Sequence, residues 1–119
     1  MYVSPQLGPT AGAEHDPSGL SAHAPGAKLD AGKPRAGLLG HFGLALLAVA
    51  EVSTAGAAKY SEGGWQAVPD GIKRYTDAMW RHQLKENLEL RDGDLGVLHA
   101  AQVAWNALAR LELMLREGA

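Results

Sequence analysis

The stretch Asp70-Gly-Ile-Lys-Arg-Tyr-Thr-Asp-Ala-Met-Trp-Arg-His-Gln-Leu-Lys-Glu-Asn-Leu-Glu-Leu90 decides the fold class. Ile72, Tyr75 and Met79 recur at steps of three and four residues, and Leu84 and Leu88 continue further round. That spacing is the period of a helix with one apolar face. Asp70 stands where a helix N-cap is expected, so the pattern predicts a helix from Asp70 to about Leu90.

The same period extends outward in both directions. Upstream, Leu38, Leu39, Phe42, Leu46, Val49 and Val52 predict a helix from Leu38 to Lys59. Gly40, Gly43 and Gly56 weaken it by about 1 kcal/mol each relative to Ala, or mark close helix contacts. Downstream, Leu98, Ala101, Trp105, Leu108 and Leu115 form one side of a helix from about Leu95 to Arg116. His99, Gln102 and Asn106 make a polar stripe on that helix. Ser61 to Pro69 is a loop by its glycines and proline, and Gly93 and Gly96 punctuate a short turn. No two-residue alternation appears anywhere, so the fold class is all-α, a small helical bundle whose short loops make neighbours antiparallel.

Bulk properties bound the rest. The chain has 119 residues, of which 46% are hydrophobic, enough for one modest core. Residues 1–28 are rich in Gly, Pro, Ala and Ser without periodicity and are read as an irregular arm; 29–119 form the helical domain. The formal net charge of −2 carries no long basic run, which argues against a protein that coats nucleic acid. With no cysteine, no disulfide or zinc–thiolate site can form. No signal peptide is legible, and the apolar run Leu38 to Val52 is too short to span a bilayer. The expectation is a soluble cytoplasmic protein without a membrane partner. So small a core makes oligomerisation a fair expectation.

Chemistry-bearing residues fall in a definite order. Lys33, Arg35 and Lys59 are candidate phosphate contacts: arginine grips phosphate with two N–H groups and lysine acts as a point charge. Tyr60 and Trp65 bracket a glycine-rich loop and could stack on a base or pack a lid onto the core. Glu51 lies within an apolar run, either on the solvent side or facing other acids as a metal ligand. On the predicted second helix His82, Glu86 and Glu89 share a face, which suits a divalent metal or an exposed Lys85–Glu89 pair. Asp92 and Asp94 flank Gly93 just before the third helix, with His99 a turn further on. Asp94 reads as a helix cap or a metal ligand. There is no P-loop and no Gly-x-Ser-x-Gly elbow, and Asp92-Gly-Asp94 lacks the remainder of an EF-hand loop.

These motifs together resemble the phage dATP/dGTP diphosphohydrolases, MazG-like all-α nucleotide pyrophosphohydrolases that include the MazZ enzymes. The likeness runs from Asp30-Ala-Gly-Lys-Pro-Arg35 through the helix acid at Glu51 to Gly56-Ala-Ala-Lys-Tyr60, which matches the family's Gly-Ala-x-Lys-Tyr. It continues with Gly64-Trp65 for Asn-Trp, the pair Arg81-His82, Leu88-Glu89 for Gly-Glu, and Asp92-Gly-Asp94-Leu-Gly96 for Asp-x-Glu-Ser-Gly. His99 and Gln102 fall on two histidines of the family. Gly64, Asp94 and Gln102 are departures, and the general MazG acid pattern is absent as such.

The resemblance implies metal-dependent cleavage of a purine deoxynucleoside triphosphate, dGTP or dATP, to monophosphate and pyrophosphate. It implies two or three Mg²⁺ or Mn²⁺ ions held by Glu51, Glu89, Asp92 and Asp94, with catalytic roles for Glu51, Glu89, His82 and His99. Lys33, Arg35, Lys59 and Arg81 would take phosphate charge, and Tyr60, Trp65 and Asn106 would contact the base. A homodimer or homotetramer is expected. One competing reading is a non-enzymatic helical oligomerisation module. Another is a His-Asp phosphohydrolase, disfavoured because no adjacent His-Asp pair occurs.

Overall fold

The computed structural model describes residues 13–119, and these divide into two compact units, one ending at Gly40 and the other beginning at His41. The part of the irregular arm before residue 13 lies outside the described residues.

In the first unit Asp16 organises the chain. Its carboxylate accepts the backbone N–H of Ser18 at 2.6 Å and of Lys28 at 2.7 Å, closing a loop between residues distant in sequence. Those two donors hold the Asp16 carboxyl below its usual range, Lys28 contributing most. Turns, not helices, fill 13–28, as prolines at 17 and 25 require.

The second unit holds three α-helices: α1 (Gly43–Lys59), α2 (Gly71–Lys85) and α3 (His99–Arg116). Short 3₁₀ segments occupy Ala36–Phe42 and Gly64–Ala67. Among the described residues no strand forms; a single antiparallel bridge joins Arg91 to Leu98. α2 packs chiefly on α3, and α1 also lies against α3. The all-α expectation holds.

Three boundaries differ from the spacing. The expected Leu38–Lys59 helix opens as a 3₁₀ segment and becomes α-helical only at Gly43. α2 stops at Lys85, not near Leu90. Leu88 and Leu90 are exposed there, so no burial carries the helix onward. Beyond it the backbone satisfies itself in a turn: Asp92 donates to the Val97 carbonyl at 2.8 Å and His99 to that of Leu90 at 3.1 Å. α3 therefore starts at His99 and not at Leu95, after Gly96 closes the turn at φ 73°. Asp70 sits at the N-cap position of α2, but in the left-handed region at φ 55° and without a side-chain cap bond. Aspartate tolerates that conformation better than most residues.

The core is small: Val52, Val97 and Ala101, with Ala48, Leu95, Leu98 and Trp105 packed around them. Helix α1 buries only Val52, and Leu44 and Leu47 stand exposed. The helical run Ala36–Lys59 has 24 residues and a mean hydropathy of 1.6 in its most apolar window. By length and composition alone that is enough to cross a membrane, which corrects the count made from Leu38 to Val52.

Candidate functional site

A cleft of about 890 Å³ opens between the three helices of the second unit. The end of α1 contributes Ser53, Gly56 and Lys59, and the following loop contributes Tyr60, Gly64 and Trp65. Arg74, Tyr75, Arg81 and His82 enter from α2, Asp92 and Asp94 from the turn, and Gln102, Trp105 and Asn106 from α3. Helical period and the tight turn together bring residues 50 apart in sequence to one wall.

At one end lies a polar network. His82 Nδ1 and His99 Nδ1 are 2.9 Å apart, and His99 Nε2 meets Glu89 Oε1 at 3.0 Å. His99 is fully buried, at 0% exposure, so both of its ring nitrogens must find partners inside. Asp92 is held on both oxygens: Oδ1 accepts the Asp94 backbone N–H at 2.8 Å and Oδ2 accepts the Gln102 side-chain amide at 2.9 Å. The Gln102 bond, with the Asp94 N–H and the histidines helping, holds the Asp92 carboxyl below its usual range. Burial, and then His99 alongside, pushes the His82 imidazole below its ordinary value, so His82 stays neutral near pH 7. His82, Asp92 and His99 each offer one ligand atom, all within 4.8 Å of one another, a three-donor set that could hold a metal ion.

Further along the cleft Lys59 forms an ion pair with Asp94 and lies 5.3 Å from the centre of the Tyr60 ring. The Asp94 hydrogen bond, followed by Tyr60, raises the Lys59 ammonium above its usual range. The Tyr60 ring is largely exposed. Trp65, Tyr75 and Trp105 form a triangle of edge-on contacts with centroids 5.6 to 6.3 Å apart. The Tyr75 hydroxyl donates to the Trp65 carbonyl at 2.7 Å, and Trp105 Nε1 donates to Ser53 Oγ at 3.0 Å. These bonds pin the Gly64–Trp65 segment to α2 and α1 to α3. The Arg116 guanidinium covers the Trp65 ring at 5.6 Å. At Gly64 a Cβ would collide with Ser61 Oγ, so the asparagine of the family pattern would have to displace that serine.

The residues singled out from sequence are therefore distributed unevenly. Lys59, Tyr60, Trp65, Arg81, His82, Asp92, Asp94 and Asn106 line one cleft. Glu89 and His99 join it through the imidazole network, and Glu89 does so from the turn after α2, not from a helix face shared with His82. Glu51 is exposed on α1 and does not line the cleft. Lys33 and Arg35 belong to the other unit, where Lys33 pairs with Glu14 at 2.9 Å. The roles of Arg74 and of Gln102 as the Asp92 donor were not read from sequence. Gln102 carried a signal, as a polar residue on a buried stripe.

The fold and this cleft define a small all-α domain that gathers acids, imidazoles and cations around an open pocket. A family model described as dATP/dGTP diphosphohydrolase, N-terminal, matches residues 23–119, and the chain belongs to that family. No curated protein and no solved structure matches it significantly.

Proposed function

We propose that this chain cleaves a purine deoxynucleoside triphosphate, dGTP or dATP, between its α and β phosphates, releasing monophosphate and pyrophosphate with the help of divalent metal. What carries the reading is the convergence of Arg81, Lys59, Asp92, Asp94 and His82 on one cleft in a chain of the diphosphohydrolase family. Hydrolysis of a phosphoanhydride asks for charge neutralisation and an aligned water more than for a protein nucleophile.

The donor set suits a divalent cation, because Asp92 is ionised and fixed and His82 is neutral with a lone pair to give. Asp92, Asp94 and the histidine pair would hold such an ion, and Glu89 would act there through His99. When bound, divalent metal supplies phosphate neutralisation and a more acidic water. Arg81 and Lys59 take the remaining phosphate charge. Lys59 is already partnered by Asp94, so an incoming phosphate exchanges one anion for another. Tyr60 offers an exposed ring to the base, Trp65 lines the same cleft in an orientation fixed by Tyr75 and Trp105, and Asn106 lines it to read the base edge. Glu51, Lys33 and Arg35 stay with their metal and phosphate roles on sequence grounds. A dimer or tetramer, with two or three ions per site, completes the proposal; exposed Glu51 and the uncovered leucines of α1 favour it.

The test is a panel of deoxynucleotides with Mg²⁺ or Mn²⁺, followed by product analysis. Monophosphate and pyrophosphate are expected, with turnover lost in Asp94→Asn while the helical circular dichroism persists. Consumption of no triphosphate overturns the activity, and full turnover by Asp94→Asn overturns the site.

A further inference from the structure

The imidazole network makes a more specific statement about metal than the acids do. We propose that His82, Asp92 and His99 form a site for one transition-metal ion, with Glu89 orienting His99 and not touching the ion. The proposal rests on the metal-holding role these residues have in the proposed function and narrows it; metal binding without nucleotide tests it separately from turnover.

Three observations carry it. First, Glu89 Oε1 lies 3.0 Å from His99 Nε2, inside a residue with no exposed surface. A carboxylate there accepts the Nε2–H and leaves the lone pair on Nδ1, the arrangement in which a metal-bound histidine is held by its second nitrogen. Nδ1 points to His82, on the side of Asp92.

Second, the spacing fits. Two nitrogens at about 2.1 Å from an ion are about 3.0 Å apart when the angle between them is a right angle, and about 3.4 Å apart at the tetrahedral angle. The observed separation is 2.9 Å. That separation is close to the one held by adjacent ligands of a six-coordinate ion, as Mn²⁺, Co²⁺ and Ni²⁺ take. Without an ion the same gap is spanned by a proton, His82 Nδ1 donating to His99 Nδ1. Metal entry moves that proton to His82 Nε2 and tilts the two rings, whose centroids are 5.1 Å apart, until both Nδ1 lone pairs converge on the ion.

Third, the anionic member is fixed in advance. Asp92 is oriented by Gln102 and by the Asp94 backbone. His99 and Asp92 thus have outer partners already in place. His82 and Asp92 line the open cleft, which gives an ion a way in, and His99 is fully buried beside His82. Two imidazoles with one carboxylate favour a transition ion over Mg²⁺, whose preference is for oxygen donors.

The experiment uses the full chain stripped with chelator and titrated with Co²⁺ under visible absorption. One Co²⁺ per chain is expected, with a d–d band that a hundredfold excess of Mg²⁺ does not remove. His82→Gln and Asp92→Asn should abolish the band, while exposed His41→Gln leaves it unchanged. Glu89→Gln should keep the band but weaken binding about 10- to 100-fold, as loss of an outer partner does; a purely structural role would remove band and helical signal together. Binding that ignores His82→Gln and Asp92→Asn, or ready displacement by Mg²⁺, overturns the proposal. Should those variants fail to fold, ring-nitrogen NMR of the unaltered chain decides. Zn²⁺ must move the Nδ1 resonances of both His82 and His99, and unmoved resonances sink the site.

Discussion

At the scale of single residues, Asp92 is the pivot of the cleft. Its carboxylate takes hydrogen bonds from Gln102 and from the Asp94 backbone, which lower its pKa relative to a free aspartate. A depressed carboxyl stabilises the fold above the unfolded value, about 3.9, and that contribution disappears as pH falls through the lower, folded value. Thermal melts should therefore show stability falling between about pH 4 and the onset of acid unfolding. In Gln102→Met the Asp92 carboxyl moves back towards its free value, so that part of the pH dependence should flatten. An unchanged slope would mean that Gln102 does not set the charge of Asp92. The sequence exposed Asp92 as an acid beside a helix and Gln102 as a buried polar residue. It could not show that they bond to each other, because the bond depends on a turn that puts residue 92 over residue 102.

At the scale of elements, helical periodicity located all three helices, with α1 and α2 each packing against α3. The ends were less legible. The stretch after Lys85 keeps a helix-like pattern of leucines, yet Leu88 and Leu90 find nothing to pack against, and the backbone turns to bond with Val97 and His99. Propensity is a weak guide where burial does not reinforce it. One consequence is chemical: Glu89 reaches His99 from beyond the end of α2. The loop between α1 and α2 is held by aromatic contacts instead of regular structure. Tyr75→Phe removes the bond from its hydroxyl to the Trp65 carbonyl and should cost about 1 kcal/mol, the usual net worth of such a bond. For a domain of this size that is a drop of roughly 4–8 °C in Tm. A calorimetric scan showing no change would mean that the aromatic triangle alone fixes the loop.

At the scale of the whole molecule, the unit from His41 onward is thinly packed for its apolar content. Leu44 and Leu47 on α1, with Leu108 and Leu111 on α3, remain exposed and are candidates for burial against a second copy. Light scattering after size-exclusion chromatography should report a dimer or larger species, and Leu47→Glu should shift it to monomer. A monomeric parent chain would remove the need for a second copy at the site. The family is carried by motifs in order along the sequence, and these converge on one cleft except for Glu51, Lys33 and Arg35. Those three stand where a single copy of the helical unit does not bring them to its cleft, which is why spacing alone could not assign them.

The central claim is hydrolysis of a purine deoxynucleoside triphosphate at the α–β bond, and product identity tests it most directly. Incubation of dGTP or dATP with the full chain and Mn²⁺, resolved by anion exchange, should yield deoxynucleoside monophosphate and pyrophosphate in equal amounts. Release of triphosphate or inorganic phosphate, or recovery of the nucleotide intact, would contradict it.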